Sequence, residues 1–351
     1  MTRLEDKRNT VSKTDLKMKD IGEFGFIRSI MDNCNFSCKK VIKGIGDDCA
    51  VIGPYEGKLL LITTDLLVED VHFILKEVLS EDLGRKAVAV NLSDIAAMGG
   101  KALHLFVSLA TPRSMRLEII HSIYKGIKAM CRRYGINILG GDTSASPEKL
   151  MISITAIGQV PENEVLFRNG AGPGDHIYVS GTLGDSAAGL NLIKGKFSAP
   201  EAVAGYLKEA HNNPIPFLRA GRMIAHSRLA SAMIDLSDGL LFDLSHICEE
   251  SKVGARLFHG VLPLSDELKT LAEINKFDPY KLALTGGEDY RLLVTVPYMN
   301  LELFQKLFKK GSTCPVYHIG EINKESGIKI TRPDGSEDLT EIKGFDHFIT
   351  P

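Results

Sequence analysis

The chain has 351 residues, of which 44% are hydrophobic and 25% charged, a composition that excludes disordered and fibrous proteins and leaves room for two domains. Lys and Arg number 42 against 44 Asp and Glu, so no overall basic charge favours nucleic acid or an anionic membrane. No apolar run is long enough to span a membrane, and the charged first twenty residues lack the apolar core of a signal peptide. We therefore expect a cytoplasmic protein with no nucleic-acid or membrane partner.

The spacing and sequence context of the cysteines are those of a protein in a reducing compartment. No CxxC pair is present, and most of the six lie beside apolar residues, which predicts reduced, structural thiols: Cys34, Cys38, Cys49, Cys131, Cys248 and Cys314. Cys34 and Cys38 have the spacing of half a metal site, but the sequence contains no matching second pair.

Hydrophobic spacing in the first half of the chain predicts an α+β domain over residues 21–165, after a flexible extension at 1–20. Helices are predicted at 21–31, 83–98 and 117–134. Strands are predicted at 59–62, 103–110, 136–139 and 150–160. The segment 53–59 is one residue short of a P-loop and lacks its Ser or Thr, so we interpret it as a hairpin turn.

A glycine-rich segment within 161–174 breaks this pattern and predicts a domain boundary, followed by an α/β domain over residues 166–351. Its predicted strands are 176–180, 232–234, 291–296 and 328–331. Its predicted helices are 186–193, 217–225 and 240–250, and residues 195–216 are predicted to be a looser segment.

Three predicted strands run directly into an acid, at Asp65, Asp142 and Asp235. One such acid often caps the next helix, but three are harder to explain by capping. Carboxylates brought together at converging strand ends would repel one another unless a cation lay between them, and Mg2+ prefers such oxygen ligands. The pattern predicts a magnesium site. Asp48 fits either this site or a solvated acidic turn, and Asp94 lies on a helix whose polar residues face either solvent or a site.

Glycines lie beside these acids, where backbone amides can approach a bulky anion: Gly44, Gly46, Gly140, Gly141, Gly286 and Gly287. Carboxylates for a metal and glycines for phosphate together predict a nucleotide site. The sequence has no GxGxxG after a strand and no protein-kinase catalytic loop, so the nucleotide-binding fold must be a different one.

Seven motifs follow one another along the chain: GIGDDCA at 44–50, TTD at 63–65, NLSDIAAMG at 91–99, GGDT at 140–143, SGTLGDSAAGL at 180–190, IDLSDGL at 234–240 and GGEDY at 286–290. Together they resemble the thiamine-monophosphate kinase family, over nearly everything from Gly22 to Phe348. The tail before Gly22 matches nothing in the family pattern, and Arg291 stands where an acid is often found.

The resemblance implies the two-domain fold of the aminoimidazole ribonucleotide synthetase superfamily, with a homodimer formed through the N-terminal sheets. It also implies an enzyme that phosphorylates thiamine monophosphate to thiamine diphosphate, the last step of thiamine diphosphate biosynthesis. ATP would be the co-substrate and Mg2+ the cofactor, and the γ-phosphoryl group would pass directly and in line.

The resemblance further implies roles for individual residues. The Mg2+ ligands, direct or through water, would be Asp48, Thr63, Thr64, Asp65, Asp94, Asp142, Asp235 and Asp238, and catalysis would depend on Asp48, Asp65, Asp142 and Asp235. ATP would contact Tyr124, Gly141, Asp142, Arg168 and Ser237. Thiamine phosphate would contact His72, Glu288 and Phe345. Taken alone, Tyr124, His72 and Phe345 would also fit packing roles.

Two other functions fit parts of the pattern. One is another ATP-using member of the superfamily, of the ribonucleotide cyclase-ligase or selenophosphate synthetase type. The latter would carry a reactive N-terminal Cys near a Lys, and neither Cys34 nor Cys38 has that context. The other is a catalytically silent nucleotide-binding dimer, which would lack one of the metal-binding acids.

Overall fold

Two β-sheets and the helices between and around them form the protein in a computed structural model that describes residues 17–32, 34–37, 39–309, 314–340 and 347–348. The combination of mixed sheets with helices confirms the predicted α+β class. None of the helices in these ranges is long and apolar enough to cross a membrane. Five described cysteines are free thiols, namely Cys34, Cys49, Cys131, Cys248 and Cys314.

The first sheet has six strands among the described residues, in the order β1-β2-β3-β6-β4-β5. They are β1 (Val41–Lys43), β2 (Ala50–Tyr55), β3 (Lys58–Val68), β4 (Lys101–Pro112), β5 (Asn137–Ser146) and β6 (Met151–Pro161). Neighbours are antiparallel except β4 and β5, which are parallel. Its helices are α1 (Met18–Ile30), which is interrupted at Gly22, α2 (Ser80–Ala97) and α3 (Leu117–Tyr134). The hairpin predicted at 53–59 joins β2 to β3.

The second sheet has seven strands in the described chain, in the order β13-β12-β9-β11-β7-β10-β8. They are β7 (His176–Ser180), β8 (Ala232–Asp235), β9 (Gly254–Phe258), β10 (Leu292–Val296), β11 (Val316–Asn323), β12 (Gly327–Thr331) and β13 (Glu337–Leu339). Its helices are α4 (Asp185–Ile193), α5 (Glu201–Asn212), α6 (Leu218–Ser227), α7 (Leu240–Ser251), α8 (Asp266–Asn275), α9 (Pro279–Thr285) and α10 (Leu301–Lys309).

Helix α2 is the element that joins the two sheets. It packs against β3 and β6 of the first sheet and also against β8 and α6 that belong with the second. Its small apolar residues, such as Ala87, Ala96 and Ala97, are almost completely buried, which lets the neighbouring elements approach closely. Asn91 and Ser93 on this helix are completely buried and therefore lie between the two sheets instead of facing bulk water.

Several predicted elements need correction. Residues 195–216 were expected to be loose but contain α5, whose buried face is only Leu207 and His211 and is too short to show a clear helical period. The predicted short buried strand at 136–139 is the first part of β5, which is mostly exposed because it lies at the sheet edge. Strands β3 and β5 also continue past Asp65 and Asp142, so only Asp235 ends its strand.

Candidate active site

Three carboxylates from separate parts of the chain meet beside α2. Asp48 comes from the turn before β2, Asp94 from the last turn of α2, and Asp235 from the end of β8. One carboxylate oxygen from each lies within 4.8 Å of the other two. Asp48 is only 7% exposed, so the interpretation of this turn as a solvated acidic turn is wrong. We call these three residues the carboxylate cluster.

Hydroxyl and amide groups surround the carboxylate cluster. Thr63 on β3 donates a hydrogen bond to Asp94, and Ser93 donates one of 2.5 Å to Asp235. Asn91 accepts a hydrogen bond of 3.2 Å from the backbone of Asp65, which places that acid at the same end of α2. The polar residues of α2 thus face the site, which decides between the two interpretations left open by the sequence.

Burial makes the ionised form of this cluster costly. Burial and the neighbouring Asp48 carboxylate raise the pKa of Asp235 to about 8, and burial raises the pKa of Asp65 to about 6. Burial, with Asp65 and Asp235, also raises the pKa of Asp94 well above its usual value. In addition, Asp94 lies in the last turn of α2, where the helix dipole disfavours a negative charge. These carboxylates need a cation if they are all to be ionised at neutral pH.

Arg168 supplies part of that positive charge. Its Nη2 and Nε lie 2.6 and 3.0 Å from Asp48 Oδ1. Even with this partner, burial raises the pKa of Asp48. The other oxygen, Oδ2, is buried and has no hydrogen-bond partner in the described part of the chain. A buried oxygen without a partner, beside oxygen atoms from two more carboxylates, is the donor set expected of a hard cation such as Mg2+.

A cleft of about 270 Å3 opens next to the carboxylate cluster and is lined by Asp65, His72, Ser237, Asp238 and Glu288 among others. Two chain segments form one wall, since Glu288 donates a backbone hydrogen bond of 2.7 Å to Ser237. A side chain at Gly287 would bring a Cβ within 2.7 Å of the Ser237 carbonyl oxygen, so this close pairing requires glycine. Glu288 itself has φ 63°, an uncommon backbone conformation that is typical of functional sites.

Glu288 is a half-buried acid that contacts a cation, Lys86, and an imidazole, His211. Lys86 Nζ lies 3.0 Å from Oε1, and His211 Nδ1 lies 3.3 Å from Oε2. Burial alone would raise the pKa of Glu288, but the Lys86 ammonium, with His211 and His72, lowers it below the usual value. Burial and Lys86 also lower the pKa of His211 to about 4, so this imidazole is neutral at pH 7. Lys86 is only 1% exposed and also donates to the backbone oxygen of His72.

Comparison with known proteins identifies the family. The family models described as AIR synthase related protein, N-terminal domain, and AIR synthase related protein, C-terminal domain, match residues 46–160 and 172–332. The thiamine-monophosphate kinase of Escherichia coli K12 is 39% identical over 335 residues, covering 94% of this chain and 99% of the relative. That of Bacillus subtilis 168 is 34% identical over 329 residues, covering 93% and 99%.

The chain belongs to the thiamine-monophosphate kinase family. A solved structure described as AaThiL complexed with AMPPCP and TMP has a TM-score of 0.83 and 35% identity, and the match covers 95% of this chain and 99% of that one. The predicted family and the predicted superfamily fold are both confirmed.

Some residues that the family resemblance assigns to the site lie away from the carboxylate cluster within one protomer. The side chain of Thr64 alternates to the face of β3 opposite Thr63 and hydrogen-bonds Thr155 on β6. Asp142 is exposed on the edge strand β5. Three interstrand steps separate β5 from β3, so Asp142 lies about 14 Å from β3, in register with Leu66 and not with Asp65. The chain does not bring it to the carboxylate cluster.

Gly141, Tyr124 and Phe345 are the remaining residues assigned by the family resemblance. A Cβ at Gly141 would lie 1.7 Å from the Val107 carbonyl oxygen, so the pairing of β5 with β4 itself requires glycine there. Tyr124 on α3 is half-buried and packs against the main core. Phe345 lies outside the described residues.

The structure places Asp243 and Lys86 at this site, although the sequence analysis did not predict either as a site residue. Asp243 on α7 accepts hydrogen bonds of 3.2 and 3.0 Å from the backbone amides of Asp238 and Gly239, and so holds the loop after Asp235. Asp243 is the fourth residue of α7, and no sequence pattern marks an acid at that position as a site residue. Lys86 could have been found, because it precedes Asp94 by about two helical turns and therefore shares the face of α2 that carries the site.

Proposed function

We propose that the protein transfers the γ-phosphoryl group of ATP to thiamine monophosphate and releases thiamine diphosphate and ADP. The observation that carries the proposal is the buried carboxylate cluster beside a cleft that contains an ionised Glu288. Relatives named thiamine-monophosphate kinase align over 94% of the chain, and the similar AaThiL structure holds AMPPCP and TMP, which supports the same two substrates here.

We propose Mg2+ as the cofactor of this reaction. Asp48, Asp94 and Asp235 would hold it, and Thr63, Asp65 and Asp238 lie next to them as direct or water-mediated ligands. The all-oxygen donor set and the buried Asp48 Oδ2 without a partner fit such an ion. Bound Mg2+ would neutralise charge on the phosphates and polarise the transferred group.

The residues of the chain then have separate tasks. The phosphate oxygen of thiamine monophosphate is already ionised at neutral pH, so the reaction needs no strong general base, and alignment of the two phosphates is the main requirement. Arg168 lies against the carboxylate cluster and would bind ATP phosphate oxygens, for which its planar guanidinium is suited. Ser237 lies in the cleft wall and would contact the nucleotide beside it.

The other end of the cleft would recognise the thiamine moiety. A thiazolium ring is cationic and flat, so the ionised Glu288 and an aromatic face complement it. His72 lines the same cleft, and burial lowers its pKa, which leaves it neutral as a hydrogen-bonding and stacking group. Phe345 is proposed as the aromatic face from the family resemblance.

We also propose a division into an extension at 1–20, an N-terminal domain at 21–165 that binds ATP and Mg2+ and dimerises, and a C-terminal domain at 166–351. The two family-model matches, at residues 46–160 and 172–332, support the division between the last two. We propose the cytoplasm as the location, in keeping with the free cysteines.

A homodimer would cover the free face of the first sheet. Leu66, Phe106 and Leu139 on this sheet are 50%, 38% and 55% exposed, a large apolar surface for a monomer. The exposed edge strand with Gly141 and Asp142 belongs to the same sheet, so a second copy is the proposed partner that brings these two residues to a nucleotide. Light scattering at micromolar concentration should give twice 38.4 kDa, whereas a particle of 38.4 kDa would contradict the proposal.

A coupled assay for ADP release tests the function directly. We expect release that depends on both thiamine monophosphate and a divalent cation. Asp65→Asn and Asp142→Asn should each abolish turnover while the circular dichroism spectrum is unchanged. Asp266→Asn is the matched control, because the Asp266 side chain is 95% exposed on α8. A properly folded protein that releases no ADP with thiamine monophosphate would instead be a silent nucleotide-binding dimer or a different superfamily member.

A further inference from the structure

Two histidines and a glutamate form a second cluster on the second sheet, away from the cleft. His176 begins β7, and its antiparallel register pairs it with Glu321 on β11, while His318 lies on the same strand as Glu321. One ligand-type atom from each of the three lies within 4.8 Å of the other two. All three side chains are partly exposed, so an ion from solvent can reach them.

The hydrogen bonding of His318 fixes which ring nitrogen is available. His318 Nε2 lies 3.0 Å from the carbonyl oxygen of Gly320. A carbonyl oxygen can only accept, so Nε2 carries the hydrogen and Nδ1 keeps its lone pair. Histidines that bind metals usually donate their other ring N–H in this way, commonly to a backbone carbonyl. His318 therefore has the tautomer and the orienting partner of a metal ligand.

Aromatic and charged groups surround the three side chains. The rings of His176 and His318 stack with centroids 4.4 Å apart, and Tyr178 and Phe258 lie 5.3 and 5.7 Å from His318. Arg256 Nη2 donates to Glu321 Oε2 at 2.9 Å and orients the carboxylate. The same guanidinium also lies 3.6 Å from Glu337, so its positive charge is shared between two acids.

We propose that His176, His318 and Glu321 bind a transition-metal divalent cation of the Zn2+ type, independently of the carboxylate cluster. Two imidazoles and one carboxylate suit Zn2+, Ni2+ or Cu2+, whereas Mg2+ prefers oxygen ligands alone. Bonds of about 2.1 Å in a tetrahedral site place ligand atoms about 3.4 Å apart. To bind one ion, the His176 and His318 rings would have to leave their stacked arrangement and turn their lone pairs towards a common point, which partly exposed side chains can do. Water would complete the coordination, and the ion would tie β7 to β11.

Zinc titration of the full chain in excess Mg2+ tests the site, because Mg2+ then occupies the carboxylate cluster. Calorimetry should detect one saturable Zn2+ equivalent, and the melting temperature should rise with its occupancy. His318→Ala and Glu321→Gln should each weaken this binding by at least about tenfold. The Co2+-loaded protein should show a visible absorption band that His318→Ala removes.

The matched control is His226→Ala, since His226 also pairs with a carboxylate, Glu164, at 2.9 Å but lacks the second histidine. It should bind Zn2+ like the unaltered chain. ADP release in Mg2+ should be unchanged in His318→Ala and Glu321→Gln, which confirms that they fold. Zn2+ binding that is unaffected by both of these variants, or that excess Mg2+ abolishes, would overturn the proposal.

Discussion

The carboxylate cluster and Glu288 are two acidic regions at neighbouring points of the site, and their charges are neutralised differently. Burial and mutual repulsion raise the pKa values of Asp94 and Asp235, and the Arg168 guanidinium forms its ion pair with Asp48. Glu288, by contrast, has Lys86 and His211 as partners, and its pKa is lowered. The first region therefore requires a cation from outside the chain, whereas the second is already charge-balanced by a residue of the chain itself.

Among variants that compare the carboxylate cluster with Glu288, Asp94→Asn should have the largest effect. Loss of this ligand charge should lower kcat/KM by about 100-fold to 1000-fold, because stabilisation of the transferred phosphoryl group is lost. The metal-free variant should melt at a higher temperature than the unaltered chain, since a repelling buried carboxylate is gone. The ADP-release assay and thermal melts in chelator measure both. A lower melting temperature together with full activity would show that Asp94 is structural.

Neutralising the second region should have the opposite effect on stability. Glu288→Leu leaves Lys86, which is 1% exposed, without its partner and should cost about 3–5 kcal/mol of unfolding free energy. Lys86→Met should cost less, about 1–3 kcal/mol, because the Glu288 side chain keeps 23% exposure to the cleft and can be rehydrated or protonated.

The double variant Lys86→Met/Glu288→Leu is the control for this pair. It should recover most of the stability lost by Glu288→Leu, because no unpaired buried charge remains. Urea denaturation of the four proteins measures the coupling. Additive losses would mean that the two side chains stabilise the fold independently.

The two regions should also respond differently to pH. The pKa of Asp235 is about 8 in the fold and near 3.8 when unfolded, so between these values the native state binds more protons than the unfolded state. The unfolding free energy of the metal-free protein should therefore fall as pH rises from about 4 to about 8. Glu288 has the opposite effect. Because its pKa is lowered in the fold, the stability that it contributes is lost only as pH falls below the usual titration range of a glutamate. Added Mg2+ should flatten the decline above neutral pH, and an unchanged slope would contradict the metal assignment.

Sequence reasoning predicted much of this site but not its arrangement. The motif around Asp235 and the polar residues of α2 could be identified because a strand end and a buried helix face leave clear patterns. The placement of Asp142 could not, because it depends on strand order, and β6 and β4 lie between β3 and β5. Lys86 and His211 were missed as partners of Glu288, since three segments far apart in sequence meet only in the fold.

The smallest effect should come from Phe345→Ala, at the aromatic residue that the family resemblance assigns to thiamine monophosphate. Loss of an aromatic face is worth about 1 kcal/mol, so the Michaelis constant for thiamine monophosphate should rise about fivefold. The constant for ATP should stay nearly the same, and the melting temperature should change by only a few degrees. Equal weakening towards both substrates, or a large loss of stability with normal affinity, would mean that Phe345 has a packing role.

Anomalous diffraction from crystals soaked in Mn2+, a substitute for Mg2+ with a detectable signal, tests the metal site most directly. We predict a peak about 2.1 Å from carboxylate oxygens of Asp48, Asp94 and Asp235, including the Asp48 Oδ2 atom that lacks a partner in the described chain. The peak should be absent in Asp94→Asn crystals, while Glu288 keeps its contact with Lys86 in both. Manganese bound elsewhere, with none between these three carboxylates, would contradict the assignment of the carboxylate cluster as the metal site.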